Sequence, residues 1–402
     1  MAYFYGWNVV AATFVMAVWS FGLGFYGLTV YVAALQRLHK WTASTVSLPV
    51  TVYYVTGALI TAWIGDVYER FGARLVVSTG AAAMALGVAT LGGVTAPWQL
   101  YPVFLLMALG WGSMSGAALN IILAPWFERR RGLAVSVAFN GATLGGVVIA
   151  PLLIPLIERC GVARALAIAA LGCFVVVVIA ARWMRRGADA LRLGPDGDGP
   201  HPVPPPARQG ARAGHRRDAL RTWRFWSVSI PFALGLAAQV GVLTHLVPLV
   251  APVVGAYGAA RALTATTAAA VVGRLLTGIV VDRLNRRVVA SATLLVQTVG
   301  VALLAFGHSA GAVYAGCALF GLGVGNLTTL PGLILAEEWP RERFAALVAL
   351  VVGINQFTFA FGPTLVGFVR DQAGSYGIAL AVCALLQVFA AALVMLGPKR
   401  PG

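Results

Sequence analysis

Charge is what this chain lacks most. Only 10% of its 402 residues are Asp, Glu, Lys or Arg, against about 25% in soluble proteins. Hydrophobic residues make up 59% and the mean hydropathy is +0.84. A water-solvated surface cannot be built from that composition, so an ordinary soluble enzyme is excluded and the solvent for most side chains must be lipid. Acidic residues are scarcest, 13 against 29 basic ones, for a net charge of +16. In a soluble chain this balance would point to nucleic acid. Here the basic residues sit at the ends of apolar runs, where they orient a membrane protein, and no nucleic-acid partner is expected. The four cysteines (Cys160, Cys173, Cys317, Cys383) have neither CxxC nor metal-ligand spacing and read as core thiols. No metal or cofactor is expected. No nucleophile–base pair or phosphate loop is visible, which argues against an enzyme. Met1 to Tyr5 has no basic n-region, so no cleavable signal peptide is expected.

What the chain does have is length in its apolar runs. A spanning helix needs about 20 apolar residues, and twelve such runs can be read. In the first half they are Trp7–Leu35, Ala43–Gly65, Leu75–Val94, Trp98–Leu123, Leu133–Ile157 and Val162–Trp183. In the second they are Phe225–Val250, Ala262–Val281, Val288–Gly307, Ala310–Ala336, Phe344–Val369 and Tyr376–Leu396. The runs are continuous rather than alternating, which excludes a membrane β-barrel. The expected fold is an all-α membrane protein of twelve transmembrane helices in two six-helix bundles, residues 1–184 and 222–402. Residues 185–221, rich in Pro, Gly and Arg, read as a solvated linker. With both termini cytoplasmic, 22 of the 29 basic residues fall on the inner side and 6 on the outer, which the positive-inside rule favours.

The halves repeat. Gly65-x-x-x-Glu69-Arg70-x-Gly72-x-Arg74 recurs as Gly278-x-x-x-Asp282-Arg283-x-Asn285-x-Arg287, at an offset of 213 residues (278 − 65). Arg129, Arg131, Gly141 and Pro151 recur as Arg341, Arg343, Gly353 and Pro363, at an offset of 212 (341 − 129). Duplicated halves with a substrate site between them are an architecture of alternating-access carriers. In the two loops, Gly65 and Gly278 are expected to let helices approach closely. Gly72 and Asn285 are residue types that tolerate a left-handed turn. The arginines are expected in the interfacial water.

These loops resemble the GxxxD(R/K)xG(R/K)(R/K) signature of the major facilitator superfamily, a resemblance that extends over essentially the whole chain. The first copy departs from the pattern, with Glu69 where Asp is usual. A narrower resemblance, to the monocarboxylate porters and oxalate/formate antiporters, rests on several segments. They are Tyr5-Gly6-Trp7, the run from Ala124 to Ala134 (APWFERRRGLA), Gly141-x-x-x-Gly145-Gly146, Pro151, HLVPL from His245, and GRLLTG from Gly273 to Gly278. It implies a carrier of small organic anions, monomeric and free of cofactors, with the lipid bilayer and a coupled proton as the other partners.

None of the 13 acidic residues falls in the middle of a run, but Arg274 does, seven residues from the end of the eighth (281 − 274). That is roughly 10 Å of helix rise. An arginine at such a depth costs about 2.5–3.5 kcal/mol on translocon scales and is normally paired and functional. Its planar fork suits a carboxylate. The bland alternative is that it snorkels to the interface. The resemblance favours the first reading, since related porters place a substrate-binding arginine on this helix. They often have an acidic residue one turn earlier, where this chain has Ala270. The oxalate antiporters carry a second cation in the eleventh span, where this chain offers Asn355, Gln356 and Thr358, so a monoanion is implied. His245, inside the seventh run, either carries a proton or is a hydrogen-bonded structural histidine. Asn326, Asn140, Tyr26 and Tyr53 complete the candidate substrate residues; taken singly, polar side chains in spans more often bond helices together. The competing functions are an exporter of amphipathic or hydrophobic compounds and a transporter-like ligand sensor.

Overall fold

In hydrocarbon a helix satisfies its own backbone, and every regular element among the described residues is helical. The computed structural model describes residues 4–185, 187, 194–197, 218–281 and 283–397, with the backbone alone for 341–346. Most of the linker, Asp282, and the side chains of Arg341 and Arg343 therefore lie outside the described residues. The first six helices are α1 (Gly6–His39), α2 (Ala43–Phe71), α3 (Ala73–Leu91), α4 (Pro97–Leu123), α5 (Arg131–Cys160) and α6 (Val162–Ala181). The next four are α7 (Trp223–Thr244), α8 (Leu246–Val280), α9 (Arg286–Phe306) and α10 (Ala310–Glu338). Then come α11, in two pieces (Arg341–Phe359 and Gly362–Ala373), and α12 (Tyr376–Met395).

Among the described residues, eleven helical stretches are long and apolar enough to cross a membrane. One of them, Trp223–Val280, merges the expected seventh and eighth runs into 58 residues. At 1.5 Å per residue that is about 87 Å, nearly three hydrocarbon thicknesses, so it must turn. The turn is at Gly255, whose φ of 72° only glycine adopts readily.

The chain divides into two compact units, Met1–Lys40 with Val52–Pro204, and Trp41–Thr51 with Pro205–Gly402. The second unit thus includes the first turns of α2. In the first unit α5 lies against α1 with no room between the backbones. A Cβ on Gly145 would fall 2.2 Å from the Val18 carbonyl oxygen, and one on Gly141 2.3 Å from that of Phe14. Both helices carry a widened π-turn here, Gly22–Tyr26 and Gly145–Ile149. The second unit has a core of Phe225, Phe232, Leu294, Leu327, Leu330, Ile334 and Leu347 from α7, α9, α10 and α11.

The fourth helix of each half is broken: α4 at Ser115, in extended conformation, and α10 at Val324–Gly325. A break strands carbonyls that lipid cannot solvate, and side chains take them up. Tyr68 and Ser20 hydroxyls donate to Ser113 and Met114 (2.7 and 3.1 Å). Gln297 and Asn326 amides donate to Phe320 and Leu322 (3.3 and 3.0 Å).

Two expectations about the repeated loops need correction. A Cβ on Gly65 or Gly278 would meet no described atom within 4 Å, so neither marks a close approach to a described helix of its own unit. The tight contact on α8 is at Gly273 instead, where a Cβ would fall 1.9 Å from the Leu322 carbonyl oxygen. Gly72 does adopt a positive φ, 79°, and alone joins α2 to α3. Asn285 does not (φ −60°); it caps α9 by accepting the Arg287 amide at 2.9 Å.

Candidate functional site

Gly273 brings the α8 backbone against the end of the first piece of α10, and the next residue is Arg274. The Arg274 guanidinium lies on Gly325, the residue that turns the chain into the second piece of α10 with φ 92°. The backbone requires glycine there, and a Cβ would fall 2.2 Å from Nη2 and displace the guanidinium. One turn further along α8, the Thr277 hydroxyl accepts the Asn326 amide at 2.9 Å. The same Asn326 Nδ2 donates to Leu322 O at 3.0 Å, and because a carbonyl only accepts, the carboxamide orientation is determined. Its Oδ1 then lies on the other side, buried and with no hydrogen-bond partner among the described residues.

Behind the break, Gln239, Gln297 and Gln387 bridge α7, α9 and α12. Gln297 Nε2 donates to Gln239 Oε1 at 2.8 Å and Gln387 Nε2 to Gln297 Oε1 at 3.3 Å. Arg274, Thr277, Gly325 and Asn326 thus converge on a break whose shape is held from the far side. Thr277 and Gly325 were not among the candidates read from the sequence. The signals were a Gly-Asn pair inside an apolar run and a threonine three residues after Arg274.

His245 belongs to a different cluster. It lies 1% exposed between α7 and α8. Nε2 lies 3.0 Å from Pro363 O and 3.1 Å from Ser47 Oγ; Nδ1 lies 3.1 Å from the Tyr376 hydroxyl. Since Pro363 O only accepts, Nε2 carries the hydrogen and Nδ1 is free to accept from Tyr376. The Arg370 guanidinium lies over the Tyr376 ring at 5.7 Å and bonds Asp371 at 3.0 Å. Asp371 caps the start of α2, accepting from Ala43 N (3.0 Å), Ser44 N (2.7 Å) and Ser44 Oγ (2.5 Å). The ring of contacts closes through α2 and leaves His245 no open nitrogen.

The other candidates scatter. Asn355 is buried on α11 and Gln356 half-buried, while Ala349, Leu350, Gly353, Ile354, Phe357 and Thr358 line an open groove of about 380 Å³. Tyr53 is fully buried, its hydroxyl donating to Gly24 O at 2.6 Å. Tyr26 is buried in the π-turn of α1, its ring 5.0 Å from that of Phe25. Asn140 is exposed on α5.

The motif segments near the start of the chain meet in space. Tyr5 and Trp126 rings lie 5.5 Å apart, Trp7 and Phe127 5.2 Å, and the Tyr5 hydroxyl donates to Trp183 O at 3.1 Å. Asp196, from the linker, accepts the backbone amides of Glu128, Arg129 and Arg130 at 3.0, 2.7 and 3.2 Å. That stretch of linker is therefore docked rather than simply solvated.

The family model of the Major Facilitator Superfamily matches residues 14–260 and 249–402. The chain belongs to this superfamily. It is a multi-pass membrane transporter, not an enzyme. It is similar to monocarboxylate transporter 11 of Mus musculus, 28% identical over 94% of this chain and 84% of the relative. It is likewise similar to monocarboxylate transporter 11 of Homo sapiens, 28% identical over 92% and 78%. Among solved structures, a variant of the nucleoside transporter NupG superposes with a TM-score of 0.79 at 12% identity, over 97% of this chain and 100% of that one. That likeness concerns the fold.

Within the superfamily's signature loops, Glu69, Arg70, Arg74 and Arg283 are exposed. Arg287 is not, and this corrects the expectation that it sits in the interfacial water. It is buried, and all five of its donors are used. Nε and Nη2 bond Glu338 at 2.6 and 2.9 Å, Nη2 also reaches Ser227 Oγ at 3.0 Å, and Nη1 donates to Val394 O and Ser227 O at 2.7 and 3.3 Å.

Proposed function

We propose that this transporter moves small organic anions, above all monocarboxylates, by alternating access, with Arg274 as the carboxylate ligand. The observation that carries the reading is the position of the guanidinium, at depth in α8 and against the glycine that opens the second piece of α10. There a cation and a helix amino terminus favour the same negative charge. The relatives named monocarboxylate transporters support the class of cargo. The positive-inside bias supports cytoplasmic termini, in a cytoplasmic membrane. His245, spent on three partners, serves the clamp at the start of α2 in this reading and not the Arg274 cluster; a proton, if one is coupled, uses another group.

Uptake of radiolabelled lactate into proteoliposomes tests the reading. Arg274→Ala should abolish saturable uptake while the protein still elutes as a single folded species, and Arg274→Lys should recover part of it. Wild-type rates in folded Arg274→Ala would refute the assignment. A second reading, export of amphipathic compounds, is favoured by the aromatic cluster of the first unit, in which Phe25 stacks on Trp111 at 6.2 Å. Failure of small carboxylates to compete with an aromatic probe would point that way.

A further inference from the structure

We propose that Asn326 is a specificity-determining residue that makes this transporter prefer carboxylates bearing a hydrogen-bond donor beside the carboxyl group, such as 2-hydroxy acids, over acids without one. The inference rests on the organic-anion reading above and extends it to the rest of the substrate.

Three observations meet at the break in α10. The second piece, Asn326–Glu338, is 13 residues long and its N-cap is glycine, which offers no side-chain acceptor to the first amides. Those amides are the positive end of the helix, and Asn326 and Leu327 at that end are 2% and 0% exposed. A buried, uncapped helix start needs an acceptor from elsewhere. The second observation is the Arg274 guanidinium lying on the same glycine. A carboxylate placed there would serve the fork of the arginine and the helix start together. The third is Asn326 Oδ1. Side chains at a helix start lean back toward its amino-terminal end, and Nδ2 confirms this by reaching Leu322 O across the break. That bond and the one to Thr277 turn Oδ1 the other way, where it is buried without a partner. A buried acceptor left unmade is costly, and a substrate donor would complete it. Arg274 and Gly325 are only half-buried, and Thr328 and Thr329 in the same first turn are exposed, so one side of the site is open to a ligand.

The chemistry then divides by atom. The carboxylate goes to the guanidinium and the helix start, and a hydroxyl on the adjacent carbon donates to Oδ1. An acid of the same size with hydrogen in place of that hydroxyl leaves Oδ1 unsatisfied. Sites built to bond a substrate hydroxyl reject the analogue that lacks it.

Calorimetric titration of the purified full chain in lipid nanodiscs with L-lactate and with propionate tests this. Wild type should bind lactate about tenfold more tightly than propionate, the size of one hydrogen bond. Asn326→Leu should bring the two affinities together, the lactate-to-propionate ratio falling from about tenfold toward one. Asn326→Ser, too short to reach and well tolerated at a helix start, should do the same and stands in if the leucine variant does not fold. Equal affinities in wild type, or a lactate preference that survives in both variants, would overturn the role of Asn326 and leave the anion reading intact. If neither acid binds wild type, the anion reading itself falls, and this inference with it.

Discussion

Glu338→Ala is the most informative perturbation of the second unit. It leaves the Arg287 guanidinium in place, with a side-chain exposure of 7%, but removes the partner of Nε and one partner of Nη2. The three bonds to Ser227 and Val394 cannot neutralise the charge. Removing one member of a buried pair costs about 3–5 kcal/mol, because the other is left uncompensated at low dielectric. For a unit of roughly 200 residues each kcal/mol is worth about 2–4 °C, so Tm should fall by about 6–20 °C. Tryptophan fluorescence of the detergent-purified protein during a thermal ramp would read the change. Replacing both members with apolar groups, Arg287→Met with Glu338→Leu, removes the stranded charge and should recover most of the loss. A Glu338→Ala protein melting within 2 °C of wild type, or a double variant less stable than the single, would refute the reasoning. The neighbouring Arg286–Glu337 pair, at 3.3 Å and about a quarter exposed, should contribute far less.

Gly145→Val should lower Tm by driving α1 from α5, at about 1–3 kcal/mol or more for overpacking. Gly65→Ala and Gly278→Ala, with open space at both positions, should stay within about 0.5 kcal/mol of wild type in the same ramp. Asp371→Ala should destabilise by about 0.5–2 kcal/mol, the worth of a helix cap, and hydrogen exchange should rise at Ala43 and Ser44. Unchanged protection of those two amides would remove Asp371 from its capping role.

The candidate site was partly legible. Arg274 stood out because a charge inside an apolar run has few explanations, and Asn326 because a polar residue at that depth needs a partner. His245 was equally visible, yet composition cannot say whether a ring nitrogen faces a substrate or a proline carbonyl 118 residues away. Gly141 and Gly353 are equivalent in the repeat, but the first touches the α1 backbone and the second borders an open groove. Arg287 matches its motif arginine in sequence, and that match alone predicts a place in water. Its partner, Glu338, lies 51 residues downstream, at the same spacing as Glu337 from Arg286 (337 − 286). That regularity means something only once α9 and α10 are known to be neighbours.

The amino-acid order by itself determined that the chain is helical, lipid-embedded and duplicated. Burial in hydrocarbon is a one-dimensional demand, met by runs of apolar residues of sufficient length. Tertiary structure alone decided which face of each helix meets which neighbour. Lipid tails are as apolar as leucine, so hydropathy does not distinguish a lipid-facing side from a packed one. That choice was made by glycines at backbone contacts, by carbonyls stranded at helix breaks, and by buried ions, each satisfied only by a residue distant in sequence.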